Sequence, residues 1–187
     1  MNFKSNTINF RFVEETDAAF VNSLRVDEKY NQYLSHVDDD VSKQLAWIKK
    51  YKQREHNGDE YYFIIQRNDN QKPIGTVRIY DFIPNENSFC WGSWILNEDK
   101  TKYAALECTI LIYDFAFIEL GYNRCHMDIR KGNTKVVDFH KKFGVRIVAE
   151  SEIDYFGYYY KDDYLKIRDE IVDVITKKYK LLNESIS

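Results

Sequence analysis

From Ala104 to Leu120 almost every residue is apolar, and the polar exceptions Glu107 and Asp114 fall two turns apart on one narrow stripe. Such a helix is apolar nearly all round, so it has to be covered on most sides, with one edge left wet. Its neighbours in sequence show what covers it. Upstream, Tyr61 to Gln66, Ile74 to Phe82 and Ser88 to Leu96 are strand-like runs parted by Asn68-Asp69-Asn70 and Pro84-Asn85-Glu86-Asn87, which predicts an antiparallel meander. Downstream, Arg124 to Ile129 reads as another strand. Strand, buried helix and strand make a β-α-β crossover.

The remaining elements follow from period and punctuation. Ile8, Phe10 and Phe12 alternate with polar residues as in a half-buried strand, and Glu14-Glu15-Thr16-Asp17 starts a helix carrying Phe20, Val21 and Leu24 inward. The acid run Asp38 to Asp40 offers N-caps to a second helix, with Val41, Leu45, Ile48 and Tyr51 at helical spacing and an end near Asn57-Gly58. Asn133 caps a helix from Thr134 to Phe143 that stops at Gly144. A final strand pair is expected over Val145 to Ile153 and Tyr155 to Tyr160, then a C-terminal helix marked by Tyr164, Ile167, Ile171, Val174 and Ile175. No repeat, linker or low-complexity tract intervenes, so residues 1–187 are read as one α+β domain.

Composition removes several function classes. Lys and Arg number 27 against 30 Asp and Glu and are dispersed among them, so no nucleic-acid footprint is expected. Cys90, Cys108 and Cys125 are odd in number, and neither they nor His36, His56, His126 and His140 show metal-ligand spacing. No metal and no disulfide scaffold are expected. The start MNFKSNTINF has no apolar export core and no stretch is long and apolar enough for a span, so the expected setting is the cytoplasm, without membrane contact.

Two segments carry chemistry. Lys100-Thr101-Lys102-Tyr103-Ala104-Ala105 leads into the buried helix, and a helix start with lysines and small residues presents free N–H groups and positive potential suited to a pyrophosphate. The other reading is an ordinary capped helix. The second segment runs from Asn133 to Phe139-His140-Lys141-Lys142-Phe143-Gly144-Val145. With the order of elements above, it resembles the GNAT superfamily of acetyl-CoA-dependent N-acetyltransferases, whose members show a strand, an Asn, a short helix and an aromatic pair before x-x-x-G-F. Asp17, Leu24 and Arg25 match the D...LR signature of the branch that contains ribosomal-protein-alanine and nucleotide-amino-sugar acetyltransferases. The resemblance covers roughly residues 8 to 170.

The resemblance implies a mixed, mostly antiparallel central sheet with helices on both faces, and acetyl-CoA as acyl donor. It places the pyrophosphate at Lys100, Thr101, Lys102, Tyr103, Ala104 and Ala105. The pantetheine arm is expected where the third meander strand splays from the fifth strand, against the backbone of Trp94, Ile95 and Leu96. Asn133, Phe139 and Lys142 complete the cofactor side. Trp94 reads equally as a core aromatic, and Asn133 serves as cap, cofactor contact or both. Two positions depart from the family pattern: Tyr103 and Ala105 stand where a Q/R-x-x-G-x-G/A loop has its small residues, and His140 stands where a tyrosine usually protonates the leaving thiolate. An imidazole with a reference pKa of about 6.5 is suited to that task near neutrality; the alternative is a packing role.

The acceptor side is expected at Arg25, Asn31, Tyr33 and Trp47, with Tyr155 and Tyr158 from the last strand. Arginine and aromatics suit a nucleotide diphosphate and base, so the expected acceptor is a small-molecule primary amine, in the first instance a nucleotide-linked amino sugar. Acetylation of a protein N-terminus, a polyamine or an aminoglycoside is the alternative, the last two calling on the acid run Asp38 to Asp40. A non-catalytic CoA-binding member is another. Glu98, Glu107 and Asp114 are available as bases without a fixed direction, and a second copy of the chain, as a homodimer, is left open.

Overall fold

The computed structural model describes residues 3–184. Seven strands form one sheet: β1 (Ile8–Phe12), β2 (Tyr61–Arg67), β3 (Pro73–Ile83), β4 (Ser88–Leu96), β5 (Arg124–Arg130), β6 (Arg146–Glu150) and β7 (Asp154–Tyr160), in the order β1-β2-β3-β4-β5-β7-β6. Neighbours are antiparallel except β4 and β5, which the crossover makes parallel. The helices are α1 (Ala18–Val26), the short α2 (Glu28–Asn31), α3 (Val41–Asn57), α4 (Ala104–Tyr113), α5 (Thr134–Phe143) and α6 (Lys161–Glu184). No helix among the described residues is long and apolar enough to cross a membrane.

Helices cover both faces of the sheet, so β2 buries residues on both. Tyr62 and Ile64 pack with Val21 of α1 and Ile48 and Tyr51 of α3. Phe63 and Ile65 belong to the larger core around α4, which also takes Phe143 of α5 and Tyr164 of α6. As the acid run suggested, Asp40 caps α3, its carboxylate accepting from the Ser42 (2.8 Å) and Lys43 (3.3 Å) amides, and Gly58 closes the helix with φ 77°. Asp17 accepts two bonds of 2.7 Å from Arg11 and one from the Glu14 amide, fastening α1 to β1.

The apolar helix departs from expectation in two ways. It is α-helical only to Tyr113; Asp114–Glu119 is a π turn, closed by the Leu120 N–H on the Phe115 carbonyl at 2.9 Å, that buries consecutive Phe115, Ala116 and Phe117. Its polar stripe is wet only toward the C-terminal end, where Asp114 is half-buried; Glu107 is fully buried. The N-terminal arm covers Glu107, which accepts from Ser5 Oγ, the Thr7 amide and Thr7 Oγ1, while Arg168 and Tyr164 of α6 cover Asp114. In α6, Tyr164, Ile167, Ile171 and Ile175 face the protein and Val174 is exposed.

What positions the site is the failure of β4 and β5 to stay together. They pair at Ser88 with Arg124 and Phe89 with Cys125, and no further. His126 pins this closed end, its Nδ1 2.7 Å from Ser88 Oγ of β4 and its Nε2 3.1 Å from Asp81 of β3. At the open end β4 bulges. Thr76 faces Ile95 and Arg78 faces Gly92, so Ser93 and Trp94 together oppose one residue of β3, and Ser93 takes φ 48°. A bulge bends its strand and frees backbone groups from the ladder. Gly75 permits the close approach this requires: a Cβ there would lie 2.0 Å from the Ile95 carbonyl oxygen.

Candidate active site

The gap between β4 and β5 continues into clefts on both faces of the sheet. On one side a cleft of about 550 Å³ runs from Lys100 and Ala105 along Trp94, Ile95 and Leu96 to Asn133. It narrows to about 170 Å³ between Trp91, Ser93, Met127, Ile129 and His140. On the other side it widens to about 800 Å³, lined by Tyr33, Tyr80, Ser93, Asp128 and Glu152. Tyr33 lies at the junction of all three, its hydroxyl donating to the Gly132 carbonyl at 2.8 Å. Lys29 and Glu98 form a second bridge at the mouth, 3.0 Å apart.

The helix start fits a pyrophosphate. Tyr103, at the N-cap of α4, makes no side-chain cap, and the amides of Ala105 and Leu106 have no acceptor among the described residues. Such orphan donors at a positive helix end are what an anion takes. Tyr103 has φ −108°, ordinary for any residue, and its ring lies against the Lys102 ammonium rather than in the cleft. The other expected cofactor residues divide. Trp94, Ile95, Leu96, Lys100, Ala105 and Asn133 line the cleft together. Thr101 hydrogen-bonds Thr7, Ala104 is buried in the core, Phe139 packs on Trp94, and Lys142 is on the surface. Asn133 holds the N-cap position without a side-chain cap bond: its main-chain carbonyl takes the Val136 and Val137 amides, leaving the carboxamide to the cleft.

His140 lines the space of about 170 Å³, buried, with its ring 5.4 Å from Trp91 and 5.7 Å from Phe139. Its Nδ1 is buried without a hydrogen-bond partner among the described residues. Burial pushes the imidazole pKa down to about 4, so the ring is neutral at pH 7. Titration near 6.5 does not hold in the fold, because no carboxylate stands by to offset desolvation.

The expected acceptor residues are less gathered. Tyr33 lines the cleft. Arg25 and Trp47 line a separate small cavity behind Tyr80. Asn31 lies at the end of α2 and lines none of these spaces. Tyr155 and Tyr158 point to opposite faces of β7: Tyr155 lies near the Lys131 and Lys141 ammoniums, and Tyr158 stacks on Arg124 at the closed end. Of the acids named from sequence, Glu107 and Asp114 are held by the arm and by α6, and Glu98 by Lys29. The carboxylate that lines the gap is Asp128 of β5. Asp128, Tyr80 and Arg78 were not singled out from sequence; each reads there as an outward residue of an alternating strand, and only the topology brings Asp128 and Tyr80 to the cleft and Arg78 to the small cavity behind it.

The fold and the gap define an acyltransferase of the GNAT type. Residues 7–146 match the family described as "Acetyltransferase (GNAT) domain", and the chain belongs to that family, whose members take their acyl group from acyl-CoA. The structure of apo FdhC, described as a nucleotide-linked sugar GNAT, is 48% identical with a TM-score of 0.85, covering 91% of this chain and 96% of that one. The SPbeta prophage-derived uncharacterized N-acetyltransferase YokL of Bacillus subtilis (strain 168) is 20% identical over 137 residues, 73% of this chain and 75% of YokL. Spermidine N-acetyltransferase from Vibrio cholerae, solved with CoA and spermine, shares the fold at 16% identity and a TM-score of 0.73, over 84% of this chain and 98% of that one.

Proposed function

We propose that the protein transfers acetyl from acetyl-CoA to the primary amine of a nucleotide-linked amino sugar. The observation that carries this reading is the likeness to FdhC, a nucleotide-linked sugar GNAT, at 48% identity over nearly the whole chain. The cleft chemistry supports it. The acid run that a polyamine would call on is engaged, Asp38, Asp39 and Asp40 with Lys43, Asn22 and Ser42, which leaves Asp128 and Glu152 as the carboxylates that line the acceptor cleft. The unpaired thiols of Cys90, Cys108 and Cys125 accord with a cytoplasmic setting.

In this reading the donor's phosphates lie on the α4 N-terminus beside Lys100, and its arm follows Trp94 to Leu96 into the gap. A backbone N–H of that segment holds the carbonyl oxygen as charge develops on it. The amine enters from the Tyr80 side and attacks the carbonyl carbon; the C–N bond forms, the C–S bond breaks, and the sulfur leaves beside His140. Asp128 receives the proton that the amine gives up, directly or through water, and the neutral imidazole donates its N–H to the departing sulfur.

The reading is tested by following thiol release from acetyl-CoA with UDP- and dTDP-linked amino sugars, spermidine, an aminoglycoside and short peptides with free N-termini. Turnover is expected with a nucleotide-linked amino sugar and at most weakly with the rest. Reaction of spermidine or peptides alone would overturn the acceptor assignment.

A further inference from the structure

A cavity of about 140 Å³ lies behind Tyr80, between α1, α3 and the sheet. Two guanidiniums line it, Arg25 from the last turn of α1 and Arg78 from β3, and both carry more donors than the protein satisfies. Arg25 donates through Nη2 to the carbonyl (2.8 Å) and hydroxyl (2.9 Å) of Ser35, and Arg78 donates through Nη2 to Glu60. The Nε of each is buried without a partner, and the Nη1 of neither has an acceptor among the described residues. Leaving buried donors unmade is costly, and arginine's planar fork suits paired oxygens of phosphate or carboxylate.

The charges do not balance either. Glu60 serves both Arg54 and Arg78, and Arg25 has no carboxylate partner among the described residues. Arg54 and Glu60 stand outside the cavity, whose lining holds the two guanidiniums Arg25 and Arg78 and no carboxylate. Burial, with the neighbouring Arg78 adding to it, lowers the pKa of Arg25. Aromatic faces hold the arrangement in place: the Arg78 guanidinium carbon is 5.0 Å from the Trp47 and Tyr80 ring centres and 5.6 Å from that of Tyr62. Trp47 is also stacked on Tyr51 at 5.7 Å, so it braces the arginines rather than offering an open face to a base.

We propose that this pocket binds the diphosphate of the acceptor, with Arg25 and Arg78 donating to its oxygens. The inference rests on the acceptor reading above and adds the subsite that recognises the nucleotide end. Ser35 lines both this cavity and the acceptor cleft, and the Tyr80 ring covers Arg78 while lining the cleft. A diphosphate diester carries one negative charge on each phosphate, one for each guanidinium that lines the cavity, whereas a single carboxylate answers only one of them. The cavity admits phosphate groups but not a whole nucleotide, so sugar and base extend from it.

The test is calorimetric titration of the wild type, Arg25→Gln, Arg78→Gln and Arg78→Lys with dTDP, UDP, inorganic pyrophosphate, thymidine and uridine. Acetyl-CoA affinity and the melting temperature report on folding, and Arg25→Gln leaves Glu60 paired if Arg78→Gln proves unstable. The diphosphates are expected to bind the wild type and to lose at least ~10-fold in affinity with each Gln substitution. Arg78→Lys recovers part of the loss, nucleosides bind far more weakly, and acetyl-CoA affinity is unchanged. Equal diphosphate affinity in wild type and Gln variants overturns the pocket, as does an unchanged KM for a nucleotide-linked sugar that is turned over. Diphosphate binding lost in the variants while no nucleotide-linked sugar reacts upholds the pocket and defeats the acceptor reading, so the two fail separately.

Discussion

At the scale of single residues, burial decides what His140 is able to do. An imidazole titrating near ~6.5 would be partly charged in neutral solution, but between Trp91 and Phe139 its pKa falls to about 4. It therefore acts as a neutral N–H donor, and His140→Ala, which removes the donor, is expected to lower kcat by ~10²-fold while leaving the acetyl-CoA KM nearly unchanged. Equal turnover would return His140 to packing. Stability carries an independent signature. The unfolded chain takes a proton at His140 near pH ~6.5 and the folded protein only near 4, so acidification favours unfolding. The contribution is intact above pH 6.5 and declines as pH falls toward 4, by up to about 3 kcal/mol. Wild type should lose more melting temperature than His140→Gln between pH 7 and pH 4.5; parallel losses would show that His140 is not neutral in the fold. The position of His140 was legible from its motif. Its titration was not, because Trp91 comes from a strand far away in sequence.

Among the elements, the bulge in β4 is the piece on which the donor side depends. It was hidden in the sequence, since Ser88 to Leu96 keeps its strand character on both sides of Ser93, and two residues facing one leave no mark in composition. Gly75 is the trace it leaves on the neighbouring strand. Gly75→Ala sets a methyl carbon 2.0 Å from the Ile95 carbonyl oxygen, and backbone has to move. The expected cost is about 1–3 kcal/mol or more, read as a lower urea midpoint, with weakened acetyl-CoA binding because the Trp94 to Leu96 segment shifts. A variant with wild-type midpoint and acetyl-CoA affinity would show that the gap tolerates a different bulge. The other elements were legible because period and caps agree with one another at Asp40, Gly58 and Gly144. The π turn after Tyr113 was not, since the apolar run continues through it without a break.

Across the whole molecule, the cofactor side was easier to read than the acceptor side for a topological reason. Lys100 to Ala105 and Asn133 to Gly144 are continuous segments at helix ends, where local chemistry signals itself. The acceptor side is assembled from α1, α3, β3 and β5, and its residues Arg78, Tyr80 and Asp128 are single positions in strands. Strand parity does sort Tyr155 from Tyr158, which an odd spacing sends to opposite faces. The two sides meet at one gap, so a crystal structure with CoA and a nucleotide-linked amino sugar tests this mechanism most directly. The expected result has the CoA sulfur beside His140 between β4 and β5, the amine on the Asp128 side of the gap, and the diphosphate between Arg25 and Arg78. CoA bound outside the gap, or an acceptor whose amine cannot reach it, would contradict the account.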